Sequence, residues 1–182
     1  GGLPGGAVTG RLDIMNQLDF QATCEAGQRK ISHPGTFNAN PLSAVTGSKA
    51  LEILGGSDIC AKVNEKGEQF RQQLNQVLAD LKLKWAVYGT YSGFHLFTNS
   101  QNRNIESVNF DPTEIPLNEL TENDATIFPP LRLALLINGI DTSPRFSGFL
   151  SASHGATELE QTAAAFQRAL ELLIDEGIVE TP

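Results

Sequence analysis

The sequence is poor in cysteine, in basic residues and in long apolar runs, and each shortage excludes a class of protein. It has 182 residues and only 2 cysteines, Cys24 and Cys60, which are too few for a disulfide framework and lack CxxC spacing. We therefore expect free thiols and a reducing, cytoplasmic environment. The 13 basic and 21 acidic residues give a net charge of −8, which argues against a nucleic-acid partner. No apolar run approaches the ~18 residues of a membrane span, so we expect no membrane partner either.

Several common catalytic and metal-binding motifs are also missing. The histidines His33, His95 and His154 are far apart and do not have the spacing of metal ligands, so we expect no metal site. No Gly-x-Ser-x-Gly sequence is present, as a serine hydrolase with a nucleophile elbow would require. The early glycine cluster is not followed by the Gly-Lys-Thr of a phosphate-binding Walker loop.

The clearest pattern in the sequence is helical periodicity. Asn40 and Pro41 are typical of a helix N-cap and first turn, and they predict a helix over residues 42–54. Apolar spacing predicts a long amphipathic helix from Ser57 to about Leu83. The last helix begins with a capping box of Thr157 and Glu160, or with Gly155 as the cap. Further helices are predicted over residues 11–18 and 131–137.

Between these helices the sequence predicts short strands and loops. Strands are predicted over residues 85–89, 93–98, 140–143 and 149–153, and loops over 21–30 and 99–130. The longer loop contains a small apolar-alternating piece, residues 105–110. Together these elements predict a mixed domain in which helices cover one face of a small, mainly antiparallel sheet.

The most informative stretch is residues 32–41, Ser-His-Pro-Gly-Thr-Phe-Asn-Ala-Asn-Pro. The pair Gly35-Thr36 leads into a capped helix and offers a flexible backbone, a hydroxyl donor and amide groups that suit an anion such as phosphate. The alternative interpretation is structural, with Gly35-Thr36 a simple turn and Asn40 only a helix cap.

Several motifs together resemble one enzyme family. They are Gly2-Leu3-Pro4-Gly5-Gly6-Ala7, Gly10-Arg11, Gly35-Thr36, Asn40-Pro41-Leu42 and Gly148-Phe149-Leu150-Ser151-Ala152-Ser153-His154. In this order and spacing they resemble the class III aminotransferases that use pyridoxal 5'-phosphate, and within them the glutamate-1-semialdehyde aminomutase branch. The resemblance runs along nearly the whole chain.

The resemblance implies a fold, a cofactor and partners. The fold is α/β, like the type I pyridoxal-phosphate transferases. Residues 1–41 would end the large cofactor-binding domain, 42–56 would form a connecting helix, and 57–182 would form the complete small C-terminal α+β domain. Gly35 and Thr36 would bind the cofactor phosphate, and Thr36 would do so in the neighbouring subunit of a homodimer. The substrates would be a small-molecule amino donor and acceptor, and the enzyme would act on an amino acid or an amino-aldehyde.

The family's catalytic lysine lies shortly before the Gly-Leu-Pro turn, and its cofactor-pairing aspartate lies further upstream. This chain begins at that turn, so we expect it to be part of a longer protein. Lys30 and Lys49 do not occupy the matching position, and we assign no catalytic residue to the chain. On its own it is expected to be inactive and to bind the cofactor weakly or not at all.

One position departs from the aminomutase branch. That branch has a glutamate before the Ala-Gly-Phe of the last strand, and counting back from Gly148-Phe149 places Phe146 there. Ordinary amino transfer, or a reaction with another carbonyl substrate, is therefore an equal alternative to the aminomutase reaction. The adjacent Arg145 could bind a substrate carboxylate or could be a solvated surface residue. A further alternative is that the chain is a non-catalytic acidic α/β interaction module.

Overall fold

The computed structural model describes residues 2–180, so the outer ends of the predicted domains, residue 1 and residues 181–182, lie outside the described part. The chain divides into two compact units, Gly1–Asp58 and Ile59–Pro182. The assignment of residues 1–41, 42–56 and 57–182 to parts of a larger enzyme stays a prediction.

The first unit consists of short helices joined by extended chain. Helix α1 spans Leu12–Met15 and continues as a 3-10 turn over Asn16–Leu18, where one helix was predicted. Helix α3 spans Pro41–Gly55. Its N-cap is confirmed, because the Asn40 side chain accepts hydrogen bonds from the backbone N–H groups of Leu42 (3.0 Å) and Ser43 (3.2 Å).

The predicted loop over residues 21–30 is wrong in its first half. Helix α2 spans Phe20–Glu25. Its N-cap is Asp19, whose carboxylate accepts the N–H of Ala22 at 2.8 Å. Thr23 is buried, and its hydroxyl donates to the Asp19 carbonyl at 2.7 Å. The capping aspartate outweighs the weak apolar periodicity of this short polar segment.

The second unit contains a three-stranded antiparallel sheet in the order β1-β2-β3. The strands are β1 Ala86–Tyr88, β2 Gly93–Phe97 and β3 Ser147–Phe149. The small antiparallel sheet is thus confirmed, with Val87 opposite Leu96 and Phe94 opposite Gly148.

The two predicted strands over residues 140–143 and 149–153 are largely wrong. No strand is present over 140–143, and only Phe149 of the second range lies in one. The Ser143 hydroxyl oxygen accepts the N–H of Ser147 at 2.9 Å, and Phe146 has a positive φ of 48°. These features turn the chain around Pro144, so the strand begins at Ser147.

Three long helices pack with one face of this sheet into the main core. They are α4 Ile59–Asp80, α6 Phe128–Ile137 and α7 Ala156–Asp175. The core contains large side chains from each helix and from the sheet: Phe70, Leu74, Leu78, Leu131, Leu135, Phe166, Leu170, Val87, Phe94 and Leu96. Burial of such side chains is the main term that stabilises a domain of this size.

Helix α7 begins at Ala156, so Gly155 is its cap and the predicted box of Thr157 and Glu160 is wrong. The Glu158 carboxylate accepts the Gly155 N–H at 2.8 Å. Helix α6 begins at Phe128, three residues before its predicted start, with Pro129 and Pro130 in its first turn, where the missing N–H groups cost nothing.

Residues 99–127 are more ordered than the predicted loop. They contain a 3-10 turn at Pro112–Glu114 and the short helix α5, Leu117–Leu120, and no strand over 105–110. A second cluster of Phe97, Ile115 and Leu120, joined by Tyr88, Ile105 and Phe110, packs here. Along β1 and β2, Tyr88 and Phe97 alternate with residues of the main core, so their side chains lie on the opposite face of the sheet. Residues 99–127 therefore cover part of that opposite face.

The outer edge of β1 is bound by a side chain of α4. Asn75 is buried, and its amide nitrogen donates to the Val87 carbonyl at 2.9 Å while its oxygen accepts the Val87 N–H at 2.6 Å. Both backbone groups that β1 directs away from β2 at this residue are therefore satisfied.

Within residues 2–180, no helix combines the length and the apolar character needed to cross a membrane.

Candidate functional site

Within the first unit, the fold brings the glycine turn, the Gly35-Thr36 loop and helix α3 close together. Residues 3–7, 37–40 and the α3 residues from Ser43 to Leu54 line one groove of about 820 Å³. The α3 side of this groove is formed largely by small residues: Ser43, Ala44, Gly47, Ser48 and Ala50. Motifs that are more than 30 residues apart in sequence thus line a single concave surface.

Gly35 and Thr36 lie at the start of a turn beside this groove. The Asn38 N–H donates to the Gly35 carbonyl at 3.1 Å, and the Asn38 side chain donates to the His33 carbonyl at 3.0 Å. A Cβ added at Gly35 would lie 2.6 Å from Asn38 Oδ1, so this compact turn favours glycine. The turn therefore has a defined conformation even though its residues are exposed.

Thr36 offers an accessible hydroxyl. Its side chain is exposed and makes no hydrogen bond within residues 2–180. A threonine hydroxyl can both donate and accept, so Thr36 is able to donate to an oxyanion that approaches the turn. Neither Gly35 nor Thr36 lines the groove itself, whereas the next residues, Phe37 to Asn40, do.

Arg145 lies in the second unit and is half-buried, which is not the solvated surface position considered above. Its Nη2 donates to the backbone carbonyls of Glu122 (3.0 Å) and, more weakly, Leu120 (3.4 Å). Its guanidinium carbon lies 5.9 Å from the centre of the Phe128 ring. Its Nε is buried and has no partner among the described residues, so the guanidinium retains an unused donor.

Tyr88 and His95 lie close enough to Arg145 for its charge to shift their pKa values. Neither residue was selected from the sequence as a site candidate. Burial lowers the pKa of His95, and the positive charge of Arg145 lowers it further. Burial raises the pKa of Tyr88, and Arg145 opposes this rise. The two rings are 5.4 Å apart because Tyr88 and His95 are register partners across β1 and β2. This register relation is the signal that could have identified them.

The electrostatics of this face of the sheet suit an anion. His95 is favoured in its neutral form, so Arg145 supplies the positive charge here, and its buried Nε is a donor without a partner among residues 2–180.

Phe146 belongs to the core. Its side chain is 1% exposed, stacks on Phe166 at 4.5 Å between ring centres and meets Phe94 edge-on at 5.5 Å. The position reached by counting back from Gly148-Phe149, where the resemblance implies a glutamate, therefore holds a core aromatic residue. A glutamate here would bury its charge among aromatic rings.

No group of three or more His, Cys, Asp or Glu residues within 2–180 is arranged to hold a metal ion. His154 has a local structural role, because its Nδ1 accepts the N–H of Ser151 at 3.0 Å.

The chain was compared with known proteins. No model of a known protein family matches it. It is 30% identical over 175 residues to a glutamate-1-semialdehyde 2,1-aminomutase from Methanocella arvoryzae and 31% identical over 173 residues to one from Methanothermobacter thermautotrophicus. In both cases the match covers 93% of this chain and 36% of the relative. The chain thus spans about a third of the length of the curated relatives it matches.

Solved structures of transaminases are also similar to this chain. A transaminase described with pyridoxal phosphate bound superposes with a TM-score of 0.71 at 27% identity, over 93% of this chain and 35% of that one. An omega-transaminase from Sphaerobacter thermophilus gives 0.66 at 27% identity, over 89% and 34%. A beta-phenylalanine aminotransferase from Variovorax paradoxus, 22% identical with a TM-score of 0.68, supports the fold alone. The resemblance predicted from the motifs is confirmed, and so is the type I fold.

Proposed function

We propose that this chain is part of a pyridoxal-phosphate-dependent enzyme that transfers an amino group between small molecules. The proposal is carried by the identity of 30% to an aminomutase over 93% of the chain, together with the superposition on a transaminase described with pyridoxal phosphate bound. It is supported by the groove, which places the glycine turn next to the loop that follows Gly35-Thr36.

The residues of the Gly35-Thr36 turn fit the phosphate of such a cofactor. Thr36 presents an exposed hydroxyl without a partner among residues 2–180, and Gly35 keeps the turn compact, because a Cβ there would lie 2.6 Å from Asn38 Oδ1. When bound, the cofactor supplies the electron sink for chemistry at the amino-bearing carbon. The part we propose for Gly35 and Thr36 is to hold its phosphate.

We propose that the site is completed in a homodimer. Helix α3 has no buried residue, and five of its large apolar side chains are exposed: Leu42, Val45, Leu51, Ile53 and Leu54. An apolar surface of this kind favours burial against another polypeptide. Twofold pairing is the commonest way in which identical chains do this.

For the reaction, we propose transfer between two molecules rather than the aminomutase reaction. The observation in favour is Phe146, which is part of the apolar core where the aminomutase branch has a glutamate. Arg145 is the proposed partner of a substrate carboxylate, since it holds a buried and unused N–H donor. To meet a substrate with its Nη2 as well, it would have to release the carbonyls of Glu122 and Leu120.

The test begins with the coding DNA upstream of residue 1. We expect an open frame with a lysine within about ten residues of Gly1, as the family resemblance implies. The protein translated from the longer frame should transfer amino groups with added pyridoxal phosphate. In that protein Thr36→Ala should raise the cofactor Kd about tenfold, corresponding to the loss of one hydrogen bond to a charged group. Thr36→Ser keeps the hydroxyl and should bind the cofactor nearly as well as the unchanged protein.

A start codon directly before residue 1, with no upstream lysine, would contradict the proposal and favour the interaction module. Equal cofactor affinity in Thr36→Ala and Thr36→Ser would remove Thr36 from the phosphate site.

A further inference from the structure

The sequence contains one Asn-Gly pair, Asn138-Gly139, and the fold places it directly after helix α6. Asparagine before glycine is the dipeptide most prone to deamidation, because glycine has no side chain to obstruct the reaction. Gly139 is exposed, and a Cβ added to it would have no other heavy atom within 4 Å. Water therefore reaches this bond freely.

Deamidation at this pair would be a substitution followed by a hydrolysis. The Gly139 backbone nitrogen loses its proton and forms a bond to Cγ of Asn138, while the side-chain amide nitrogen takes up a proton and leaves as ammonia. The product is a five-membered succinimide ring. Water then adds to either carbonyl group of the ring and opens it to aspartate or isoaspartate, so the reaction consumes only water.

The folded backbone holds the two reacting groups apart. Asn138 has a ψ of 11°, which brings the Gly139 nitrogen close to eclipsing the backbone nitrogen of Asn138. Ring closure requires the Gly139 nitrogen to eclipse Cβ instead. The Gly139 N–H also donates to the Leu136 carbonyl at 3.0 Å, which disfavours loss of its proton.

The Asn138 side chain is hydrogen-bonded through both of its polar atoms. Its Nδ2 donates to the Ala134 carbonyl at 2.9 Å, one turn back on α6. Its Oδ1 accepts the Nε–H of Arg168 at 2.8 Å. Because Arg168 lies on α7, this second bond fixes the side chain to a different helix, and its charged donor makes it the stronger of the two.

We propose that Asn138 is the deamidation site of this protein and that Arg168 protects it in the folded state. The reaction requires local opening of the end of α6, in which the hydrogen bonds of Asn138 and Gly139 are released. Its rate is the rate in the open chain multiplied by the population of the open form, and the bond from Arg168 lowers that population. The proposal involves neither cofactor nor substrate, so it does not rest on the proposed function.

Both products weaken the end of α6. Aspartate places a negatively charged oxygen where Nδ2 now meets the Ala134 carbonyl, and an anion at a helix C-terminus is unfavourable. Isoaspartate adds a carbon to the backbone before Gly139, which displaces the Gly139 N–H from the Leu136 carbonyl. The next residue, Ile140, packs against the main core, so we expect deamidation to lower the stability of the second unit.

The test follows deamidation of the 182-residue chain by mass analysis of its peptides at mildly alkaline pH, in buffer and in urea that unfolds the chain. In urea, Asn138 should convert faster than every other asparagine, mainly to isoaspartate. In buffer its conversion should be at least ~10-fold slower, since the hydrogen bonds of Asn138 and Gly139 must open first.

Substitutions on α7 test the role of Arg168. Arg168→Ala keeps a strong helix former but removes the donor to Asn138. Conversion in buffer should become about tenfold faster, the effect of losing one hydrogen bond from a charged group, while the rate in urea stays unchanged. The matched control is Gln167→Ala, because Gln167 is exposed on the same helix and donates to Glu171 at 2.8 Å, so neither rate should change. Asn138→Asp, which carries one product, should unfold at a lower urea concentration than the unchanged chain.

Faster conversion of another asparagine in urea would overturn the choice of Asn138. Equal rates for the unchanged chain in buffer and in urea would overturn protection by the fold, and this comparison needs no variant. Equal rates in buffer for Arg168→Ala and Gln167→Ala would overturn the role of Arg168. An Asn138→Asp chain as stable as the unchanged chain would contradict the expected weakening of α6.

Discussion

The substitution Gly67→Ala should destabilise the second unit, although alanine is the better helix former. Gly67 lies in the middle of α4, where alanine is favoured over glycine by about 1 kcal/mol. A Cβ at this position would lie inside van der Waals contact of the Tyr91 carbonyl oxygen and 2.9 Å from Ser92 Cα. These are backbone atoms of the turn between β1 and β2, so they cannot rotate away as a side chain would.

The turn is also held in place from α4. Arg71 Nη1 donates to the carbonyls of Tyr91 and Gly93, both at 2.8 Å. Moving the turn away from a new methyl group would stretch both bonds and shift β2. Overpacking of this kind costs ~1–3 kcal/mol, and the bonds to Arg71 add to it, so we expect a net loss of about 2 kcal/mol after the helix gain.

Urea denaturation followed by Trp85 fluorescence measures this loss, since Trp85 is a buried residue of the same unit. The control is Gln73→Ala on the exposed side of α4, which should change the free energy of unfolding by less than ~0.5 kcal/mol. If Gly67→Ala were as stable as the unchanged chain, or more stable, the close approach of the turn to α4 would be refuted.

Four further outcomes are expected. Asn75→Ala should lower the free energy of unfolding by about 2–4 kcal/mol, because the substitution leaves the N–H and carbonyl of Val87 buried without partners. The same urea titration measures this loss, and a loss below ~1 kcal/mol would contradict the prediction. Arg145→Gln should raise the pKa of His95 towards its ordinary value, since a nearby positive charge disfavours the imidazolium. NMR titration of the His95 ring measures this pKa, and an unchanged or lower value would show that Arg145 does not lie close to His95. Light scattering at micromolar concentration should give about twice the 19.6 kDa mass of the chain, and a monomer would remove the support for a site shared between subunits. Borohydride treatment of the 182-residue chain with pyridoxal phosphate should not label any one lysine stoichiometrically. Mass analysis that shows such a label would contradict the expectation that the catalytic lysine lies upstream of residue 1.

The elements that the sequence predicted well are those fixed by local signals. Asn40 and Pro41 define the start of α3, and the apolar spacing defines α4 and α7. The strand pair Ala86–Tyr88 and Gly93–Phe97 followed from two short apolar runs around a turn. In each case the residues that specify the element lie inside it or next to it.

The elements that were missed depend on contacts outside the local pattern. Ile140 gives its segment an apolar composition that is typical of a strand. The hydrogen bond from the Ser147 N–H to the Ser143 hydroxyl turns the chain, however, so the strand begins only at Ser147. Residues 99–127 have no clear period because the second cluster takes single side chains, such as Ile115 and Leu120, from separate short turns. No regular spacing marks such anchors.

The candidate site divides in the same way. Gly35 and Thr36 could be proposed from the sequence because their motif is contiguous, and their role stays a prediction. Tyr88 and His95 could not be proposed in this way, because they meet only through the pairing of β1 with β2. That Phe146 is a core residue could be learned only from its stacking on Phe166.

The pairing of Asn75 with Val87 also affects how this protein behaves in concentrated solution. A free strand edge offers its N–H and carbonyl groups to any other chain, and this is a common route to aggregation. At Val87 the amide of Asn75 already occupies both groups, as a neighbouring strand would. The edge of β1 is thus closed to strand addition at its central residue by a side chain of helix α4.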